Sequence, residues 1–165
     1  MEARRFARHA LMHPGRAAHA FPSLTLDAIQ AEIAAQERTH RGEICFVVEA
    51  ELNTWQLWHG VTARDRAREV FALRGVWNTE ENNGVLVYVL LAERAVEIVA
   101  DRGISARVPD EDWRSICREM ETAFAQGHYE QGAVAGVRGV ARLLGQEFPG
   151  HGEKKNELPD RPTLI

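Results

Sequence analysis

Lysine is nearly missing from this chain: of 20 basic side chains, only Lys154 and Lys155 are lysine. The others are arginine, which reads as a bias of genomic composition and not as a site. Cysteine is equally scarce, with Cys45 and Cys117 alone. Two isolated cysteines lack the paired spacing of a metal site. Cys45 falls in a predicted core strand and Cys117 on the apolar side of a helix, so both are expected to be buried, reduced thiols. The longest apolar run has eight residues, far below the roughly 18–20 of a membrane helix. No surplus of positive charge exists either: 24 acidic against 20 basic side chains give a net charge of −4, so no global attraction to nucleic acid follows. A Gly-Xaa-Ser-Xaa-Gly elbow, a P-loop, a dinucleotide fingerprint and paired metal-binding histidines are all missing. No organic cofactor is expected. Of the seven histidines, His9, His13 and His19 fall near the N-terminus and His151 near the C-terminus, positions that argue against a rigid catalytic cage.

What is present centres on residues 80–104. Val85 to Ala92 is unbroken apolar sequence with β-branched and aromatic content, bounded by Asn82-Asn83-Gly84 and Glu93-Arg94. That pattern favours a strand. A strand without a polar face is covered on both sides, so helices must lie above and below it. Ala95 to Ala100 reads as its hairpin partner, with Glu97 its only charge. Asn83-Gly84 and Gly103 supply residues that tolerate unusual backbone angles at the two strand boundaries.

At 165 residues the chain is long enough for one domain with a substantial core. Residues 1–21 read as a basic arm or helix, broken at Pro14-Gly15, in which Arg4, Arg5, Arg8 and Arg16 interleave with Phe6, Leu11 and Met12. Such a segment suits peripheral contact with an anionic membrane through residues 4–16, or else packs on the domain. It has no apolar core of secretory-signal length, so a cytoplasmic protein, membrane-associated in the second reading, is expected.

A helix capped by Ser23 or Thr25 presents Leu26, Ile29 and Ile33 inward. A strand spans Glu43 to Ala50. Trp55 and Trp58 lie on a short piece after it and are expected to cover the core. Thr62 to Arg74 forms a second helix, with Ala63, Ala67, Val70, Phe71 and Leu73 inward and its charges mostly solvated. Pro109 and Asp110 open a third helix, whose inner face is Trp113, Ile116, Cys117, Met120 and Phe124. A fourth runs from Tyr129 to Phe148. Pro149 onward reads as a disordered tail over residues 149–165. A helical crossover requires the Glu43 strand and the Val85 strand to be parallel if adjacent, whereas the hairpin is antiparallel. The expected fold class is therefore α/β: a small mixed sheet between helix layers, over residues 22–148.

Asn82-Asn83-Gly84-Val85-Leu86-Val87 resembles the Asp-Asn-Gly-Val-Leu-Leu approach to the central strand in the TPM-domain family. That family is named for a thylakoid-lumen phosphatase, a photosystem II repair protein and a nematode receptor accessory protein. Val96-Glu97-Ile98-Val99 with Gly103-Ile104 resembles the next strand and its exit. Ala123-Phe124, Gly127-His128-Tyr129 and Gly132 resemble the junction of the last two helices. The similarity spans roughly residues 22–146. It implies a three-layer α/β/α sandwich of Rossmann-like appearance. It also implies divalent-cation binding through an acidic cluster, acid-phosphatase activity, or upkeep of protein complexes with a protein partner. Two departures stand out. Asn82 replaces the common aspartate, and Ala20-Phe21-Pro22-Ser23 replaces the usual Val-Xaa-Asp before the first helix.

The candidate site is the rim at the strand ends. Asp101, Asn82, Glu81 and Glu49 carry the oxygen atoms that hard cations such as Ca²⁺ or Mg²⁺ prefer, and ligands of α/β sheets gather at strand ends. The bland alternative makes Glu80 and Glu81 solvated loop charges and Asn82 and Asn83 turn residues. For a phosphatase, Asp101 and Arg102 are the catalytic candidates, with Arg102 stabilising phosphoryl charge. The expected function is a binding or accessory domain with a weak cation site. The alternatives are a metal-assisted acid phosphatase and a membrane-surface adaptor.

Overall fold

A computed structural model describes residues 2–12, 15–150 and 155–165. Its centre is a four-stranded sheet in the order β3-β2-β1-β4, with β1 at Glu43–Glu49, β2 at Gly84–Leu90, β3 at Ala95–Ala100 and β4 at Thr163–Leu164. β1 and β2 are parallel, Glu43 opposite Gly84 and Glu49 opposite Leu90. β2 and β3 are antiparallel, Val85 opposite Ala100 and Leu90 opposite Ala95. Mixed pairing is what the helical crossover and the hairpin together required.

Every residue of β1 and β2 is buried, because their side chains alternate between two separate cores. On one face Ile44, Phe46, Val48, Val85, Val87 and Val89 meet three helices: α3 (Ser23–Gln36), α7 (Asp110–Ala125) and α8 (Tyr129–Glu147). On the other, Cys45, Val47, Leu86 and Tyr88 meet α5 (Ala63–Leu73) with Leu52, Leu57 and Leu158. This is the α/β/α sandwich. The remaining helices are short: α1 (Glu2–Ala10), α2 (Gly15–Ala20), α4 (Thr54–Trp58) and α6 (Arg102–Ser105). Cys45 is buried, Cys117 half-buried, and both are free thiols. Burial pushes them up to about 11 and about 12 respectively, far from a reactive thiolate.

The hairpin turn is a single 3₁₀ turn, Leu91–Glu93, closed by Arg94 in the left-handed region at φ 53°. At the other end the left-handed residue is Asn82, also at φ 53°, and not Asn83 or Gly84. Gly84 is there because a side chain would run into the Val76 carbonyl.

Several local expectations are corrected. Trp55 and Trp58 are 65% and 81% exposed, since the intervening Gln56 and Leu57 take the buried positions of α4. Leu73 is exposed and Phe71 only half-buried. Neither Ser23 nor Thr25 caps α3: Pro22 stands at that position, and the Thr25 hydroxyl donates to Glu130 instead.

The C-terminal segment is corrected most. Residues 151–154 lie outside the described residues, but from Lys155 onward the chain is strapped along β1. Leu158 N–H donates to Glu43 Oε2 at 3.1 Å, Thr163 and Leu164 pair in parallel with Val47 and Val48, and Arg161 forms an ion pair with Asp27. The open edge of β1 presents unpaired backbone groups, and this strap satisfies them.

The N-terminal arm is also docked. His9 is buried, its Nδ1 accepting from Leu52 N–H at 3.0 Å and its Nε2 lying 3.1 Å from Glu93 Oε1. Arg5 donates to Glu93 at 2.7 Å and to the Val61 carbonyl, and Phe6 packs on the α5-side core. Arg5 and Phe6 therefore face the domain, leaving Arg4, Arg8 and Leu11 exposed. Among the described residues no helix is long and apolar enough to cross a membrane. His13 and His151 lie outside the described residues.

Candidate functional site

Topology divides the predicted site residues between opposite ends of the sheet. β3 runs back along β2, so its C-terminus returns to where β2 begins, and Asp101 N–H donates to the Gly84 carbonyl at 2.9 Å. Asn82 and Asp101 are thus neighbours. Glu49, at the end of β1, pairs with Leu90 at the far end of β2. At about 3.3 Å per residue, the two ends of a seven-residue strand lie about 20 Å apart. Glu49 is therefore not part of the rim that holds Asp101. The expectation assumed that strand C-termini share an edge, and the antiparallel hairpin breaks that assumption.

At the Asp101 end, a loop from Thr79 folds over the strand start. Thr79 O accepts from Asn82 N–H and its hydroxyl from Asn83 N–H, at 3.2 and 3.1 Å. The left-handed Asn82 then turns its carbonyl toward Gly103, whose N–H donates to it at 2.9 Å. A methyl group on Gly103 would lie 2.5 and 2.6 Å from the Asn82 and Glu81 carbonyl oxygens. Glycine is needed for this close approach, not for a positive φ. The Gly103-Ile104 pair was legible in the sequence; its partner carbonyls were not.

Asp101 is 8% exposed and caps α6. Its Oδ1 accepts from Arg102 N–H at 2.7 Å, while Oδ2 is buried and makes no hydrogen bond among the described residues. Buried carboxylate oxygens are normally satisfied, so this one is available to a donor or cation. The other predicted oxygens are engaged. Asn82 Oδ1 accepts from Arg102 Nε at 3.0 Å; Glu81 Oε2 accepts from Arg41 Nε at 2.9 Å and Asn83 Nδ2 at 3.2 Å. Arg41, which follows the end of α3 in the sequence and carried no signal of a site role, is brought in from just before β1. Asn83 Oδ1 is buried with no hydrogen-bond partner among the described residues. No group of three or more His, Cys, Asp or Glu side chains among the described residues converges as a metal cage. A cation here would rest on Asp101 and neutral oxygens, and Arg102 would have to release Asn82.

Glu49, by contrast, is fully engaged. Arg66 holds both its oxygens at 2.9 Å, and Tyr88 Oη donates to Oε2 at 2.5 Å. Burial, reinforced by the Glu49 charge, pushes the Tyr88 phenol well above its ordinary range, so it stays a donor. The hydrogen bonds that Arg66 donates to the Glu49 carboxylate likewise hold Arg66 charged.

Among solved structures the fold recurs. The BA42 protein of the psychrophilic bacterium Bizionia argentinensis superposes with a TM-score of 0.73 and 28% identity, covering 88% of this chain and 95% of that one. The N-terminal domain of a P. gingivalis protein shares the fold at TM-score 0.57 and 24% identity, covering 74% of this chain and 76% of that one. The N-terminal domain of a Corynebacterium glutamicum protein does so at 0.54 and 14%, covering 82% and 81%. No curated protein matches. Residues 16–143 match the TPM domain, a span that includes the whole α3–α7 sandwich and most of α8, and the chain belongs to the TPM domain family.

Proposed function

We propose that this TPM domain is a binding or accessory module, acting on a protein partner, with a weak divalent-cation site at Asp101. The carrying observation is the buried Oδ2 of Asp101, without a hydrogen bond among the described residues, beside a loop whose Glu81 and Asn82 carbonyls close on Gly103. Oxygen ligands of this kind suit Ca²⁺ better than Mg²⁺, which demands a stricter octahedron. The site is weak because Asn82 is neutral and because Arg102 already occupies its side-chain oxygen. A bound cation would supply charge and orient a partner's carboxylate or phosphate. The chain's own contribution is to hold Asp101 by its cap and to keep the loop fixed through Thr79 and Gly103.

Amide NMR during Ca²⁺ titration tests this reading. Shifts confined to residues 79–84 and 101–104 at millimolar Ca²⁺ are expected, lost in Asp101→Asn and moved to lower Ca²⁺ in Arg102→Ala. No shifts at millimolar Ca²⁺ or Mg²⁺ would remove the cation site. The family's phosphatase association offers the second reading, with Asp101 and Arg102 in the reacting roles. It requires hydrolysis of a generic phosphomonoester that disappears in Asp101→Asn.

A further inference from the structure

We propose a second, independent site: a cleft that takes an anionic amphiphile, a phosphate or carboxylate head on a short apolar body. Helices α1 and α2 flank the far end of the sheet and, with the 91–94 turn and Tyr129, line an open cleft of about 660 Å³. That volume lies within the range of small-molecule sites. Arg8, Arg16, His19 and Arg94 line it, and among the described residues no acidic side chain does. The nearest acid in sequence, Glu93, is already held by Arg5 and His9. Arg8, Arg16 and Arg94 make no side-chain hydrogen bond or ion pair among the described residues. Three exposed guanidinium groups lining one cleft, with no acidic partner among the described residues, suit an anion.

The rest of the lining is apolar: Leu11, Met12, Leu91, Ala92 and Tyr129. A bare anion would leave that surface wet, whereas an alkyl tail buries it, at roughly 25 cal/mol per Å². A further observation points the same way. Arg94 sits in the left-handed region, where an arginine is strained by about 1–2 kcal/mol and glycine or asparagine would not be. Strain retained at a pocket wall suggests that the side chain has a use.

Octyl phosphate, inorganic phosphate and octanol, each titrated into the full chain and followed by amide NMR, test the proposal. Octyl phosphate is expected to shift residues 8–12, 15–20, 91–94 and 129, and to bind at least about tenfold more tightly than either fragment. Arg94→Gly removes the guanidinium and relieves the backbone, so it should lose about tenfold in octyl phosphate affinity while its thermal stability holds or rises. Arg8→Ala/Arg16→Ala should lose at least as much. Co-sedimentation then separates two sources of the head group. Binding to phosphatidylglycerol vesicles, and not to phosphatidylcholine vesicles, with displacement by octyl phosphate, identifies a lipid. Octyl phosphate binding without vesicle binding identifies a soluble ligand. Inorganic phosphate binding as tightly as octyl phosphate would overturn the amphiphile assignment. No octyl phosphate binding at millimolar concentration, or affinity unchanged in both variants, would overturn the site.

Discussion

The two ends of the central sheet each carry a buried acid just where a strand stops, and they have opposite fates. Glu49 closes β1 with every oxygen used, both by Arg66 and one also by Tyr88. Asp101 closes β3 with one oxygen used locally and the other left without a hydrogen bond among the described residues. A buried charge that is completely paired serves the fold, and removing one partner strands the other. A buried charge that is half-paired has capacity left for something outside the chain. Residue type and position at a strand end do not separate the two cases. The neighbours do.

The largest test of that contrast is Glu49→Ala. It leaves the Arg66 guanidinium and the Tyr88 hydroxyl without their acceptor, and should cost about 3–5 kcal/mol in urea unfolding at neutral pH. A loss below about 1 kcal/mol would show that Glu49 is no more structural than a surface acid. Next comes Gly103→Val, which drives a side chain into two backbone carbonyls and should cost about 1–3 kcal/mol by the same measurement. Because that change disturbs the loop at Asn82, it should also disperse the amide signals of residues 79–84.

Asp101→Ala should be milder, at about 0.5–2 kcal/mol, the typical loss of a helix cap. Asp101→Asn keeps an oxygen for the Arg102 N–H, so it should cost less still while abolishing any Ca²⁺ response. A cost for Asp101→Asn equal to that of Glu49→Ala would erase the distinction between the two ends.

The smallest effect belongs to Glu97, midway along β3 and facing Arg64, Arg68, Cys117 and Glu121. Burial raises its carboxyl above the usual range, outweighing the opposing Arg64 pair. The folded state therefore disfavours its charged form. Its contribution to stability is complete below the unfolded pKa near 4 and declines as pH rises through the folded value. Glu97→Gln should accordingly match the parent at about pH 4 and exceed it at pH 7, by no more than about 0.5 kcal/mol given solvent screening. A gain that shrank as pH rose would reverse the sign and refute the burial argument.

Much of the fold was legible because it follows from local pattern. The eight-residue apolar run had to be covered on both faces, and β1 and β2 are buried at every position. The helical crossover made their pairing parallel, and the six residues Ala95–Ala100 form β3 as expected. The family motif around Asn82-Asn83-Gly84 also stands at the start of β2. Where the reading failed, the deciding partner lay far away in sequence. The run Pro149-Gly150-His151-Gly152-Glu153-Lys154-Lys155 made the C-terminal segment look disordered, yet β1 offered an open edge for residues 163–164. Trp55 and Trp58 looked like core because they are large, yet α4 has room inward only for Gln56 and Leu57.

The site divides along the same line. Composition and periodicity alone set the layered scaffold and marked the oxygen-bearing loops, because both depend on neighbours a few residues apart. Which acids share an end of the sheet was decided only in three dimensions, by strand direction. So was which of them are already neutralised, because Arg66 lies 17 residues from Glu49 and Arg41 lies 40 from Glu81. Chain pattern carries no record of contacts at those separations.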